Sequence, residues 1–231
     1  MDANDVRMIE SLDMMEEMGT SPATIGQLEE GRRKKGLPTE DAWFWNSHVR
    51  LPKASHNANI YLLQDDVPSF LRYWMNTGIA MMGSDGKLWE HWHLDSYGPC
   101  EAPDNGTAGW FIENFRNLLV MEEGDRLWIA RATPRVWLEQ GKRIAVRNAP
   151  TYYGTVAYEI NSDVANGKIT ATIEVPGRRP LKSVILRLRH PKAAPIKSVT
   201  VNGEPWARFN KDKETIELMN LAGKVTVVAS Y

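Results

Sequence analysis

Cysteine is almost absent from this chain of 231 residues: Cys100 stands alone, which excludes an internal disulfide and any cysteine-rich zinc site. Long apolar runs are missing as well. No stretch reaches the roughly 18–20 residues that a membrane-spanning helix needs. The first residues, Met1-Asp-Ala-Asn-Asp-Val-Arg, lack a basic start and an apolar segment, so no signal peptide is read in them and the localisation is left open. Neither G-x-x-x-x-G-K-[ST] nor G-x-G-x-x-G occurs, which disfavours nucleotide chemistry, and G-x-S-x-G is absent too. No cofactor is therefore expected. A pI near 6.5 argues against a nucleic-acid partner, and nothing points to a membrane.

What is present is uneven. The 28 Lys and Arg nearly balance the 29 Asp and Glu over the whole chain. Residues 1–140 nevertheless hold 13 basic and 22 acidic residues and eight of the nine tryptophans, whereas 141–231 hold 15 basic and 7 acidic. Such asymmetry predicts two domains of different character, 1–140 and 141–231. At 42% hydrophobic and 25% charged residues the chain has globular values, with enough length for a core in each part.

The first part reads as helical. Val6, Ile9, Leu12, Met15 and Met18 make one stripe that ends at Gly19, and Ser21-Pro22 opens a second helix to about Lys35. The cations that close it, from Arg32 to Lys35, suit a helix C-terminus. Trp43-Phe44-Trp45 is read as a loop or short helix. The apolar segment 57–81 is expected to be helical with a start or break near Pro68, which lacks a backbone donor. Residues 83–106 look loop-like because Gly and Pro punctuate them, and Thr107 is expected to cap a helix to about Glu123. Arg126 to Ala130 then reads as a strand, and 134–140 as a helical turn.

From Gly141 the period changes to two. Val156, Tyr158 and Ile160, then Ile169, Ala171 and Ile173, then Val184, Leu186 and Leu188 alternate with polar residues. Asn166-Gly167 and Asn202-Gly203 are hairpin signals. Strands are expected at 143–147, 153–160, 168–175, 182–189, 196–201, 213–218 and 224–230, so the fold class is α+β, a helical part followed by an antiparallel β-sandwich. Arg178-Arg179 and Arg187, Arg189 and His190 form a basic group, read as a solvated sheet face in preference to a site for an acidic glycan.

Chemistry concentrates between Leu88 and Asn105. Within these 18 residues fall Glu90, Asp95, Glu101 and Asp104, with Trp89, Trp92, His91, His93 and Tyr97. Flat rings stack on pyranose faces, and a pair of carboxyl groups about 5–10 Å apart can serve as general acid and as base or nucleophile. The four carboxylates are thus candidate catalytic residues, with Glu90 and Glu101 preferred. Trp89, Trp92, His91, His93, Tyr97 and Trp110 are candidate substrate-binding residues. The competing reading is a structural loop that buries its rings and caps its own turns. His91-x-His93 has the spacing of half a metal site on a strand, with Asp95 or His48 as further ligands, but no third ligand lies at a set spacing and no metal is assigned.

A resemblance enters at Phe115-Arg-Asn-Leu-Leu-Val-Met-Glu-Glu-Gly-Asp-Arg-Leu-Trp-Ile-Ala, Ala132-Thr-Pro-Arg-Val-Trp-Leu and Ala149-Pro-Thr-Tyr-Tyr-Gly-Thr-Val-Ala-Tyr, with Leu186-Arg-Leu-Arg-His-Pro and Ser198-Val-Thr-Val-Asn-Gly further on. Over 56–231 this resembles the C-terminal end of bacterial six-hairpin, (α/α)6-toroid glycoside hydrolases, whose last hairpins precede a small β-sandwich. The resemblance implies carbohydrate as ligand and polysaccharide degradation as activity. It assigns no catalytic residue. The chain is too short for a full toroid, so a fragment, a truncation or a small relative is expected. An open toroid exposes an apolar helix face, which predicts a homo-oligomer or a partner chain that completes the helical core. A non-catalytic carbohydrate-binding or accessory protein and a structural fragment stand as alternatives.

Overall fold

A computed structural model describes residues 43–45, 48–50, 57–82, 86–93, 98–103 and 105–231. The helices expected over 6–19 and 21–35 lie outside these residues. Two compact units emerge, Met1–Arg116 and Asn117–Tyr231.

In the first unit, helices α1 (Asn57–Leu63) and α2 (Val67–Met81) pack as a pair. The expected interruption is there. Asp65 turns the chain with a positive φ of 63°, and the Asp66 carboxylate accepts the Ser69 N–H at 3.1 Å as an N-terminal cap. Pro68 sits in the first turn of α2, where its missing N–H costs nothing. Ala58, Leu62, Val67, Phe70, Tyr73 and Trp74 are buried. Helix α3 (Asn105–Leu119) supplies Phe111 and Phe115, whose rings stack on Trp74 at 5.2 and 5.8 Å.

This unit is not helical throughout. Strands β1 (Trp43–Trp45), β2 (His48–Arg50), β3 (Trp89–His93) and β4 (Gly98–Pro103) form an antiparallel sheet in that order. The loop reading of 83–106 is thereby corrected at Trp89–His93 and Gly98–Pro103, and the loop or short-helix reading at 43–45. Aromatic residues favour a pleated surface, and Gly98, Pro99 and Pro103 stand at the ends of β4.

In the second unit, the helix expected to reach Glu123 stops at Leu119. Val120–Glu123 is strand β5, which turns through Gly124 (φ 59°) and Asp125 into β6 (Arg126–Ile129). A short 3-10 turn, Arg135–Leu138, follows as expected. Then come β7 (Arg143–Thr151), β8 (Gly154–Asp163), β9 (Lys168–Val175), β10 (Ser183–Arg187), β11 (Ser198–Val201), β12 (Glu204–Pro205), β13 (Phe209–Asn210), β14 (Thr215–Leu218) and β15 (Gly223–Ser230). They form a five-stranded sheet, β13-β14-β10-β6-β5, and a six-stranded sheet, β12-β11-β15-β9-β8-β7.

The class is α+β with a sandwich-like β part, as expected. One continuous core joins Leu127, Ile129, Val156, Ile160, Ile169, Ile173, Leu186, Ile216 and Val227. Both hairpin signals act. Asn202 and Gly203, at φ 52° and 89°, make the two-residue turn from β11 to β12. Gly167, at φ 68°, closes the turn between β8 and β9. One feature departs from expectation: the β6–β10 pair is parallel. β5 and β6 lie in the second unit.

The solvated reading of Arg187, Arg189 and His190 is overturned: all three are buried. β10 is an inner strand between β14 and β6, and all five of its residues are buried. The Arg187 guanidinium donates to the Arg131 carbonyl at 2.9 Å, and that of Arg189 to the Thr133 carbonyl at 2.9 Å. Arg178 and Arg179 are exposed, as expected.

Candidate functional site

The aromatic and acidic stretch runs along the β3–β4 hairpin. An isolated antiparallel bridge between Met82 and Leu88 ties the end of α2 to the start of β3. Hydrogen-bonded registration then fixes which positions face one another. His93 lies opposite Gly98, Trp92 opposite Pro99 and His91 opposite Cys100, after which the register shifts and Trp89 lies opposite Pro103. One β3 residue, Glu90, therefore stands against two on β4, Glu101 and Ala102. Two of the four candidate carboxylates share this irregularity. Asp95 and Asp104, with Tyr97, lie outside the described residues.

On its other edge β3 pairs with β2, which sets His48 opposite His93, Val49 opposite Trp92 and Arg50 opposite His91. Directly opposed residues, and residues two apart on a strand, share a face of a sheet. Backbone pairing thus sets His48, His91 and His93 at neighbouring positions of β2 and β3, residue types able to hold a divalent metal. No cluster of three or more metal-ligating side chains occurs among the described residues.

Trp110 is half-buried on α3, the helix whose Phe111 carbonyl accepts the Trp74 indole N–H at 3.4 Å. The neighbouring Glu113 carboxylate accepts from the Asn59 amide at 3.4 Å.

The β unit holds a second concentration of rings and charges, of which sequence reading singles out only Arg187, Arg189 and His190, as a solvated face. The guanidinium of Arg131 lies 4.2 Å and that of Arg187 5.2 Å from the Trp128 ring centroid. Glu123 pairs with Arg131 at 2.7 Å and accepts the Trp128 indole N–H. Beside it, Arg135 meets Glu214 through two bonds of 2.7 Å, and Glu214 also accepts the His190 N–H at 2.9 Å. Burial, then the neighbouring Arg135 charge, pulls Arg189 down to about 10. Burial also holds His190 below its ordinary value, against the pull of Glu214, and its Nδ1 accepts the N–H groups of Lys192 and Ala194. These groups are matched to one another or to backbone carbonyls, which is a structural use of charge. Arg187 and Arg189, an i, i+2 pair among apolar residues at and just past the end of β10, are the available signal.

No protein-family model matches the chain, and no curated protein matches it. Among solved structures the chain is similar to the cycloalternan-forming enzyme from Listeria monocytogenes in complex with a pentasaccharide substrate, at 11% identity and a TM-score of 0.33 over 46% of this chain and 10% of that one. It is similar to a Flavobacterium johnsoniae GH31 dextranase complexed with isomaltotriose, at 12% identity and a TM-score of 0.30 over 46% and 16%. A further similar structure is a glycoside hydrolase, at 12% identity and a TM-score of 0.37 over 79% of this chain and 33% of that one. The chain thus spans a tenth to a third of the length of these structures.

Proposed function

We propose that this chain is a carbohydrate-active protein, a glycoside hydrolase or the C-terminal portion of one, of the six-hairpin type, with its site on the β3–β4 hairpin. One observation supports this above the others: the register shift that sets Glu90 against Glu101 and Ala102. Opposed backbone positions on neighbouring strands are about 4.5–5.5 Å apart. Retaining glycosidases hold their two carboxyl groups about 5–5.5 Å apart and inverting ones about 6.5–9.5 Å. Strand positions facing one another are on the right scale for such a pair.

In this reading one carboxyl group of the Glu90/Glu101 pair holds a proton and delivers it to the glycosidic oxygen as the bond to the anomeric carbon breaks. The other, ionised, attacks that carbon or takes a proton from the attacking water. A like-charged neighbour raises the affinity of one member for its proton, which produces this division of labour. Asp95 and Asp104, which bracket β4 in sequence, are the alternative pair members. Trp89 and Trp92 offer faces for sugar rings, and His91, His93, Tyr97 and Trp110 offer polar edges. A second copy or a partner chain completes the helical core.

The test is turnover of the full chain on a panel of poly- and oligosaccharides, followed by alanine at Glu90, Asp95, Glu101 and Asp104 in turn. Loss of at least a hundredfold in the acid or base variant, about the lower bound for such catalysis, is the expected result. Unchanged turnover in all four removes the assignment. Binding without hydrolysis would place the chain with accessory carbohydrate-binding proteins.

A further inference from the structure

The β unit carries more cations than it matches. Residues 117–231 hold 18 Lys and Arg against 11 Asp and Glu. Four of these cations gather at one end of the six-stranded sheet: Arg147, Arg178, Arg179 and Lys224. All four are exposed, and among the described residues none is in an ion pair.

The fold brings them together. Arg147 falls in the irregularity of β7 between Val146 and Ala149, where the strand departs from β8. Ala157 of β8 lies opposite Glu174 of β9, which lies opposite Lys224 of β15. A depression of about 300 Å³ is lined here by the cations Arg147 and Lys224, the carboxylates Glu159 and Glu174, and the small residues Ala145, Ala157 and Thr172. Glu159 is already held by Arg143 at 3.0 Å.

The segment after β9 folds back on the β7–β8 turn. The Arg178 N–H donates to the Tyr153 carbonyl at 2.9 Å, and a Cβ added at Gly154 would stand 3.1 Å from the Arg178 Cβ. The glycine permits this approach. Its own φ of 117° is also one that other residues rarely adopt. From Gly154 to Ala157 is about 10 Å along the strand, a span that consecutive sugars of one chain cover. Tyr152, at the tip of the same turn, is 51% exposed.

The chemistry selects the ligand. Small side chains leave room for the CH face of a ring, and the Glu174 carboxylate can accept sugar hydroxyl groups. The surrounding cations call for negative charge on the ligand. A uniformly charged polyphosphate would meet Glu159 and Glu174 unfavourably, whereas a chain that mixes hydroxyl groups with carboxylates meets both sets. We propose that this end of the β unit binds an acidic, uronate-containing polysaccharide, seating one sugar in the depression and setting neighbouring carboxylates against Arg147, Arg178, Arg179 and Lys224. This rests on the carbohydrate reading for the sugar class and not for catalysis.

The test is affinity electrophoresis of the full chain in gels containing polygalacturonate, neutral xylan or nothing, with a double-stranded DNA competitor in parallel lanes. Polygalacturonate should retard the protein, added salt should weaken the effect, and xylan should not retard it to the same degree. The double variant R178E/R179E should weaken binding by about tenfold or more, since it replaces attraction by repulsion at exposed positions. R178Q/R179Q should give an intermediate loss, which separates charge from misfolding. No retardation, retardation unchanged in R178E/R179E, or displacement by DNA more readily than by free polygalacturonate would each overturn the proposal. Binding is read without turnover. A chain that is retarded but hydrolyses nothing overturns the catalytic reading alone, and one that hydrolyses neutral glycans without retardation overturns this one alone.

Discussion

Rings and charges meet around Trp128 in the β unit, and the β3–β4 hairpin carries the same residue types along its strands. Around Trp128 the charged groups pair within the fold: Glu123 serves Arg131 and the indole, and Arg187 and Arg189 reach backbone carbonyls, while the buried Nε atoms of Arg131 and Arg187 make no hydrogen bond. The cations there are buried beside β10, an inner strand, and release would leave a desolvated charge without a partner. On the hairpin the same residue types follow one another along a short strand, with acidic residues opposed at a register shift. Composition is the same in kind; around Trp128 it serves stability, and on the hairpin the proposed function gives it a chemical use.

Four variants test that division, taken from the largest effect to the smallest. Leu186, fully buried on β10, should cost about 3 kcal/mol on Leu186→Ala, read as a lowered urea midpoint with an unchanged slope. Glu214→Ala should cost about 2 kcal/mol, because Arg135 and the buried His190 N–H both lose an acceptor, with a discount for the partial exposure of Arg135. Gly203→Ala should cost about 1 kcal/mol by strain at φ 89° alone, since open space surrounds an added Cβ. Trp89→Ala should leave the urea midpoint almost unmoved if the hairpin serves ligand binding; a drop as large as that of Leu186→Ala would assign Trp89 to a core.

Acid should act on the β unit as well. Burial depresses His190, so the unfolded chain binds its proton more readily than the folded one. The contribution of the neutral imidazole is complete above the unfolded value of about 6.5 and is lost as pH falls through the folded value. Thermal midpoints should decline from pH 7 to pH 5, and His190→Gln should flatten that decline.

Legibility in the sequence followed period. β9 could be placed end to end because Ile169, Ala171 and Ile173 alternate without a break and a turn signal precedes them. β5 reads as helix because Leu118, Leu119, Val120 and Met121 are continuously apolar, and such a run has no period to read. β12 and β13, two residues each, are too short to carry a pattern. The parallel β6–β10 pair joins segments separated by three strands of the opposite sheet, which no local signal announces. Arg187 and Arg189 read as solvated because charge is usually exposed, and carbonyl partners 56 residues away bury them instead. At the candidate site, residue types were legible and their opposition was not. That Glu90 faces Glu101 and Ala102 depends on a register shift, and register is set by pairing.

The central claim is that Glu90 and Glu101 serve chemistry and not stability. Turnover and urea midpoint measured side by side on Glu90→Gln and Glu101→Gln test it most directly. The account predicts turnover reduced at least a hundredfold with midpoints like that of the parent chain. Turnover equal to the parent's in both variants, or reduced only as far as a lowered midpoint explains, would contradict it.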